Sequence, residues 1–212
     1  KIKVIAVEPA GAACLKASLE AGEVTTVSKI NTIADGTAVQ TPGDKLFPYL
    51  QANVDHVITV DDSELTLSFL DMAENHKMIV ENSGLLTVAA LKHLDFKGKK
   101  VVSVLSGGNM DVLTMATVVQ NGLMQRDRIF TVSVMLPDKP GQLAAVSSLI
   151  AKEQGNVIKL EHNVFANVNR TAGVELTITL ESFGTEHKDQ IIKALEAAGY
   201  CPVITKTNGI YM

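Results

Sequence analysis

Residues 101–111, Val-Val-Ser-Val-Leu-Ser-Gly-Gly-Asn-Met-Asp, place a hydroxyl, two adjacent glycines and an amide between an apolar run and a helical pattern. Open α/β sheets seat their ligands at such turns, outside the carboxyl end of a strand. Gly107 and Gly108 allow a ligand close to the backbone. The helix start that follows offers unpaired N–H groups, Ser106 adds a neutral donor and acceptor, and Asn109 an amide. Taken alone, the motif is equally consistent with a plain strand-to-helix turn in which Ser106 caps the helix.

The elements that must position this turn show two periodicities. Up to about residue 123, short apolar runs (Val4–Val7, His56–Val60, Lys100–Leu105) alternate with helix candidates around 10–21, 63–75, 84–94 and 110–122. Asp61 or Asp62 is placed to cap the second of these helices. Continuous apolar runs between helices predict strands covered on both faces, hence βαβ units and a parallel sheet. Gly122 through Arg128 reads as a polar hinge. Beyond it, Phe130, Val132, Val134 and Leu136 alternate with Thr131, Ser133 and Met135, a half-buried strand. Pro137-Asp138-Lys139-Pro140-Gly141 forms a turn. A helix carrying Leu143, Val146, Leu149 and Ile150 follows, then strands marked by Ile158, Leu160, Val164 and by Val174, Leu176, Ile178, Leu180. A helix with Ile191, Ile192 and Leu195 and a closing Pro202-Val203-Ile204 complete the order βαββαβ, which predicts a ferredoxin-like antiparallel sheet with helices on one face.

The 212 residues suit one or two domains, with apolar content of 46% and charge of 20%. Nineteen basic against twenty-three acidic residues give −4 with no basic run, and aromatics are 4% without Trp. Both argue against a nucleic-acid partner. No apolar stretch reaches membrane-span length, and Glu8 interrupts the N-terminal run early. Cys14 and Cys201 form no metal-like spacing. A cytoplasmic, reduced protein is expected. His162 and His187 show no partner pattern.

Four ordered segments resemble one family: Val7-Glu8-Pro9, Thr32-Ile33-Ala34-Asp35-Gly36-Thr37-Ala38-Val39 with Pro42-Gly43, Val80-Glu81-Asn82-Ser83-Gly84, and Ser106-Gly107-Gly108-Asn109. They are similar to the C-terminal half of the catalytic domain of threonine dehydratase (threonine ammonia-lyase), a pyridoxal-phosphate family with the tryptophan-synthase-β type of fold. The resemblance covers residues 1–126. It implies dehydration and deamination of threonine to 2-oxobutanoate and ammonia, with the cofactor as electron sink and the protein supplying position and electrostatics. It implies that Ser106 bonds the pyridine nitrogen. A serine cannot hold that nitrogen protonated as a carboxylate would, which favours rapid β-elimination. Gly107, Gly108 and Asn109 belong to the same cofactor contact. Glu81 matches an acidic residue near the cofactor, or is a charged residue at a strand edge. Asp35 and Gly36 match a loop lining the substrate pocket, with a cap or turn role open for Asp35.

Some relatives bind a divalent cation through the glutamate matching Glu8, a carbonyl and an aspartate. Here the later positions are Ala12 and Cys14, and a thiol is a poor ligand for a hard cation, so no metal is expected. The family's Schiff-base lysine lies in a Ser-Phe-Lys-x-Arg type segment, and no lysine of this chain has that context; the phosphate-cradling glycine run is also missing. The resemblance therefore implies a C-terminal part of the enzyme that is inactive alone. A serine dehydratase or serine racemase relative, or a stand-alone amino-acid-binding module, is the alternative.

Residues 129–206, through βαββαβ and Asp138-Lys139-Pro140-Gly141-Gln142-Leu143, are similar to the ACT domain, an amino-acid-sensing module that pairs side by side in oligomers, which implies such a domain over 127–212. The resemblance implies an effector such as isoleucine or valine. Asp138 would accept its amino group, N–H groups at Gly141, Gln142 and Leu143 its carboxylate, and Asn156 would hold it by an amide. Turn chemistry for Asp138 and a helix exit for Asn156 stay open. The Thr, Ser and Met positions of the first strand suit pairing with a second ACT domain, giving a homo-oligomer.

Overall fold

The computed structural model describes residues 2–163 and 173–207. The chain divides into two compact units, Lys1–Gly122 and Leu123–Met212.

In the first unit, β1 (Ile5–Pro9) leads into α1 (Cys14–Ala21), which begins under the Glu8 carboxylate: Leu15 and Lys16 donate their N–H groups to it at 2.7 and 2.8 Å. After a long loop come α2 (Phe47–Asn53), β2 (His56–Val60) and α3 (Asp62–Asp71). Strands β1 and β2 pair in parallel, with Ile5 opposite His56 and Pro9 opposite Val60. Asp61 is the residue that caps α3; Glu64 Oε2 accepts the Asp61 N–H at 3.0 Å, a reciprocal start that satisfies otherwise orphaned donors. Residues 82–93 form a short α-helix, α4 (Leu86–Ala89), flanked by tighter turns, and α5 runs Val112–Gln125. The core gathers Val60, Leu65, Phe69, Leu85 and Ala89, all essentially without exposure. Each large side chain so buried contributes about 1.5–3 kcal/mol.

Two expectations for this unit are corrected, and one helix is added to it. The run 100–105 forms no strand: among the described residues it has no ladder partner, and Val102 and Val104 are 88% and 66% exposed. Apolarity alone does not make a strand; neighbouring backbone must offer N–H and C=O groups. Here Thr87 takes that place, donating its hydroxyl to Val104 O at 3.0 Å and accepting at its carbonyl from Ser103 Oγ at 3.3 Å. Gly122 is not a hinge but a buried position inside α5, where a Cβ would lie 2.6 Å from Leu70 Cδ1. Its lack of a side chain lets two helices approach. Helix α2 was not among the predicted helices; Pro48 sits in its first turn, where the missing N–H costs nothing.

The second unit has the order β3 (Ile129–Leu136), α6 (Gln142–Lys152), β4 (Asn156–Asn163), β5 (Val174–Glu181), α7 (Thr185–Ala197), β6 (Val203–Thr205). The sheet runs β4-β5-β3-β6, antiparallel throughout, which is the predicted βαββαβ arrangement. Phe130, Val132, Val134 and Leu136 meet Val146, Ile150, Ile191 and Leu195 from the helices. Strand β3 is not half-buried. Thr131 and Ser133 are 4% and 8% exposed and only Met135 is open, because β3 is flanked on both sides and its short polar chains pair across the sheet, Thr131 with Thr179 at 3.0 Å and Ser133 with Glu175. Two of the three positions expected to suit pairing are thus occupied within the chain. In β4 a bulge between Val157 and Lys159 takes Ile158 out of register, so the predicted alternation breaks there; Val164 lies outside the described residues. His187 does have partners: Nδ1 accepts the Phe183 N–H at 3.0 Å and Nε2 donates to Glu153 O at 2.6 Å, with the ring stacked on Phe183.

Asp127 anchors this unit at the entrance to β3. Its carboxylate accepts from Lys188 Nζ and from Thr185 Oγ1, both at 2.8 Å. Partial burial pushes its carboxyl up, but the hydrogen bonds from Lys188 and Thr185 and the ammonium charge outweigh it, so it titrates below its ordinary range. A carboxyl held lower in the folded than in the unfolded chain adds stability above its unfolded pKa of about 3.9, and that stability is lost as pH falls through the folded value. Asp127→Asn is expected to lower the stability of this unit by about 1–2 kcal/mol at pH 7, with the gap between variant and wild type closing below about pH 4. Urea titrations at pH 7 and pH 3.5 check it.

Candidate functional site

The turn at 106–109 is held from one side by a single carboxylate. Glu81 Oε2 accepts the Asn109 N–H at 3.0 Å. Gly107 stands directly against the same group: its φ is +85°, and a Cβ there would lie 2.0 Å from Glu81 Oε1. Both the left-handed backbone and the close approach require glycine. Three residues after Glu81, Gly84 also meets the turn, with Ser106 O 2.2 Å from where its Cβ would be. Two glycines and a carboxylate therefore fix the turn. Ser106, Gly107, Gly108 and Asn109 are all exposed, and the Ser106 hydroxyl has no hydrogen-bond partner among the described residues. Ser106 does not cap the next helix. Asp111 does, accepting the N–H groups of Leu113 and Thr114 at 2.9 and 3.0 Å, and the Thr114 hydroxyl above all holds its carboxyl below the usual range.

The loop carrying Asp35 and Gly36 comes to the same place. A Cβ on Gly36 would lie 2.9 Å from Ser83 Oγ. Asp35, Glu81, Asn109 and Asp111 line one cavity of about 490 Å³, together with Asn82 and hydroxyls of α3 and α5. The structure thus brings together Asp35, Gly36, Glu81 and the 106–109 turn. Two residues to which the sequence assigned no such role hold the loop. Asp62 accepts from Thr32 Oγ1 at 2.6 Å and from the Ile33 N–H at 3.0 Å, and Asn82 Nδ2 donates to Ile33 O at 3.0 Å. Glu8 spends both carboxylate oxygens on α1, and burial, then the Glu8 charge, pushes the Cys14 thiol up.

In the second unit, Gly141 adopts φ +88° at the start of α6, and Asp138, Gly141 and Leu143 are exposed, with Gln142 half-buried. Asn156 does not join them. Asn156 pairs with Glu181, which pairs with Ile129, whereas the turn follows Leu136. Seven strand steps separate them, about 23 Å, so within one chain the amide lies at the opposite end of the sheet; it bonds Glu181 Oε2 at 3.1 Å.

The profile of the family described as pyridoxal-phosphate dependent enzyme matches residues 1–107. The chain belongs to this family. In pyridoxal-phosphate dependent enzymes the cofactor does the electronic work and the protein positions it. The residues present fit one edge of that group: a turn whose glycines keep the backbone open and an exposed, unpartnered hydroxyl at Ser106. The ACT domain profile matches residues 130–199. The L-threonine ammonia-lyase of Geobacter sulfurreducens is 36% identical over 208 residues, 97% of this chain and 52% of that protein. The processed form of threonine deaminase isoform 2 from Solanum lycopersicum superposes with a TM-score of 0.52 and 29% identity, over 56% of this chain and 36% of that one. Maize serine racemase gives 0.50 and 35%, over 55% and 38%. The chain spans about half the length of the curated relatives it matches. Among the described residues, no helix is long and apolar enough to cross a membrane.

Proposed function

We propose that this chain is the distal part of a threonine ammonia-lyase, joined to an ACT domain that senses an amino acid. The observation that carries the reading is the 106–109 turn, clamped by Glu81 and Gly84 with the Ser106 hydroxyl left free, and sharing through Asn109 one cavity with Asp35. Pyridoxal phosphate, when bound, supplies the electron sink for removal of the β-hydroxyl. Ser106 would hold the ring-nitrogen edge as a neutral partner, and the Gly107 and Gly108 backbone would lie alongside. Glu81 fixes the turn rather than pointing freely at the ligand, since one of its oxygens is taken by Asn109. Asp35 and Gly36 would border the substrate. The absence of a lysine in the family's segment implies that residues 1–212 do not turn over threonine unaided.

The ACT unit supports an effector with both an ammonium and a carboxylate, a branched amino acid such as isoleucine or valine, at Asp138 and the start of α6. A site completed by Asn156 would take that amide from a second copy, since within one chain it lies too far away. The racemase likeness covers 55% of the chain, and the ACT match over residues 130–199 favours a regulated lyase.

One experiment addresses both parts. The chain is incubated with pyridoxal phosphate and L-threonine, 2-oxobutanoate is measured, and the same preparation is titrated calorimetrically with isoleucine and valine. The expected result is no turnover and saturable binding of one branched amino acid, weakened at least about tenfold by Asp138→Ala. Turnover by this chain would overturn the division of labour, and binding unaffected by the substitution would overturn the sensor site.

A further inference from the structure

Asn82 is an unusual residue to find in a core. It is 4% exposed, and its amide does two unequal things: Nδ2 donates to Ile33 O, while Oδ1 has no hydrogen-bond partner among the described residues. A buried acceptor left unpaired is a cost to the fold, and a leucine of similar branching would remove it. The gain that offsets this cost lies in what the donor end holds. Glu81 grips the Asn109 N–H on one side. Its immediate neighbour Asn82 grips the 32–37 loop on the other, at the carbonyl next to the amide that Asp62 holds. One dipeptide therefore ties the loop of Asp35 to the turn of Ser106, and both border the same cavity.

We propose that Asn82 is a positioning residue that sets the spacing between the Asp35 loop and the 106–109 turn, and thereby the fit of the substrate. The proposal rests on the lyase reading of this site. The hydrogen bond its amide makes is to Ile33 O, so Asn82 acts on the loop through Ile33. Loss of the donor frees the loop while leaving the Glu81–Asn109 bond intact, so substrate binding suffers and the cofactor edge does not.

The test is Asn82→Leu, with Asn82→Ala as a second variant that always fits the space, made in the complete protein that carries these residues. Two measurements are taken: hydrogen exchange at the Thr37 and Ala38 amides, which close the loop on Ala34 O and Asp35 O, and steady-state formation of 2-oxobutanoate from L-threonine. Exchange at Thr37 and Ala38 is expected to accelerate about tenfold while the Asn109 amide keeps its rate. KM for threonine is expected to rise about tenfold with kcat within about threefold. A melting temperature at or above that of the wild type in Asn82→Leu would mark the amide as held for fit rather than for stability. Exchange and KM both within about twofold of wild type overturn the proposal, as does faster exchange with unchanged KM, which would make the bond merely structural. If the wild-type protein makes no 2-oxobutanoate, the lyase reading fails, and the exchange measurement alone decides whether Asn82 holds the loop.

Discussion

Gly84→Ala is expected to destabilise the first unit by about 3 kcal/mol and to displace the Ser106 turn. The added Cβ would lie 2.2 Å from Ser106 O and 2.8 Å from Val80 Cγ1. The second contact is a side chain that can give; the first is backbone, and backbone at that distance must move. The movement carries the Ser106 hydroxyl with it, because Oγ hangs from the same residue. Gly43→Ala is the matched control: nothing lies within 4 Å of a Cβ there, and its change is expected to stay within about 0.5 kcal/mol. Urea midpoints of the two variants read the difference directly. Equal midpoints would mean that the turn is not pinned at Gly84.

Ile178→Ala is expected to cost the second unit about 3–4 kcal/mol. Ile178 has no exposed surface and lies at the centre of β5, opposite Val132 on one side and Leu160 on the other. A domain with total stability of about 5–15 kcal/mol loses a large share of it through one such cavity. Its counterpart is Ile158→Ala in β4, at 36% exposure and out of register at the bulge, where about 1 kcal/mol or less is expected. Chemical denaturation of both variants checks the difference, and isoleucine titration alongside it tests whether the proposed binding depends on the intact sheet.

The motif residues were legible where their neighbours in sequence are also their neighbours in space. Ser106 through Asn109 do form the turn before a helix, and the alternation of β3 and β5 does predict the ladder that joins them. What escaped is long-range. The clasp on the Asp35 loop joins residues 29 and 49 positions apart, and no spacing rule announces it. The run at 100–105 has the composition of a buried strand, yet composition cannot say whether a partner's backbone will be beside it. Asn156 is a different case, since the βαββαβ order already contains the answer: after α6 the chain has returned to the end where β3 began, so the residue that opens β4 cannot reach the turn after β3.

The valines at 101, 102 and 104 also bear on how this chain behaves in bulk. Open apolar backbone of high β-propensity is a template on which another copy's equivalent run can add, the first step of a cross-β stack. Lys97, Lys99 and Lys100 stand immediately before it, a cluster of like charge that any in-register stack would bring together. Such gatekeeping works through repulsion and fades as salt shortens its range to about 8 Å at physiological ionic strength. Raising the ionic strength is then expected to shorten the time the chain stays dispersed.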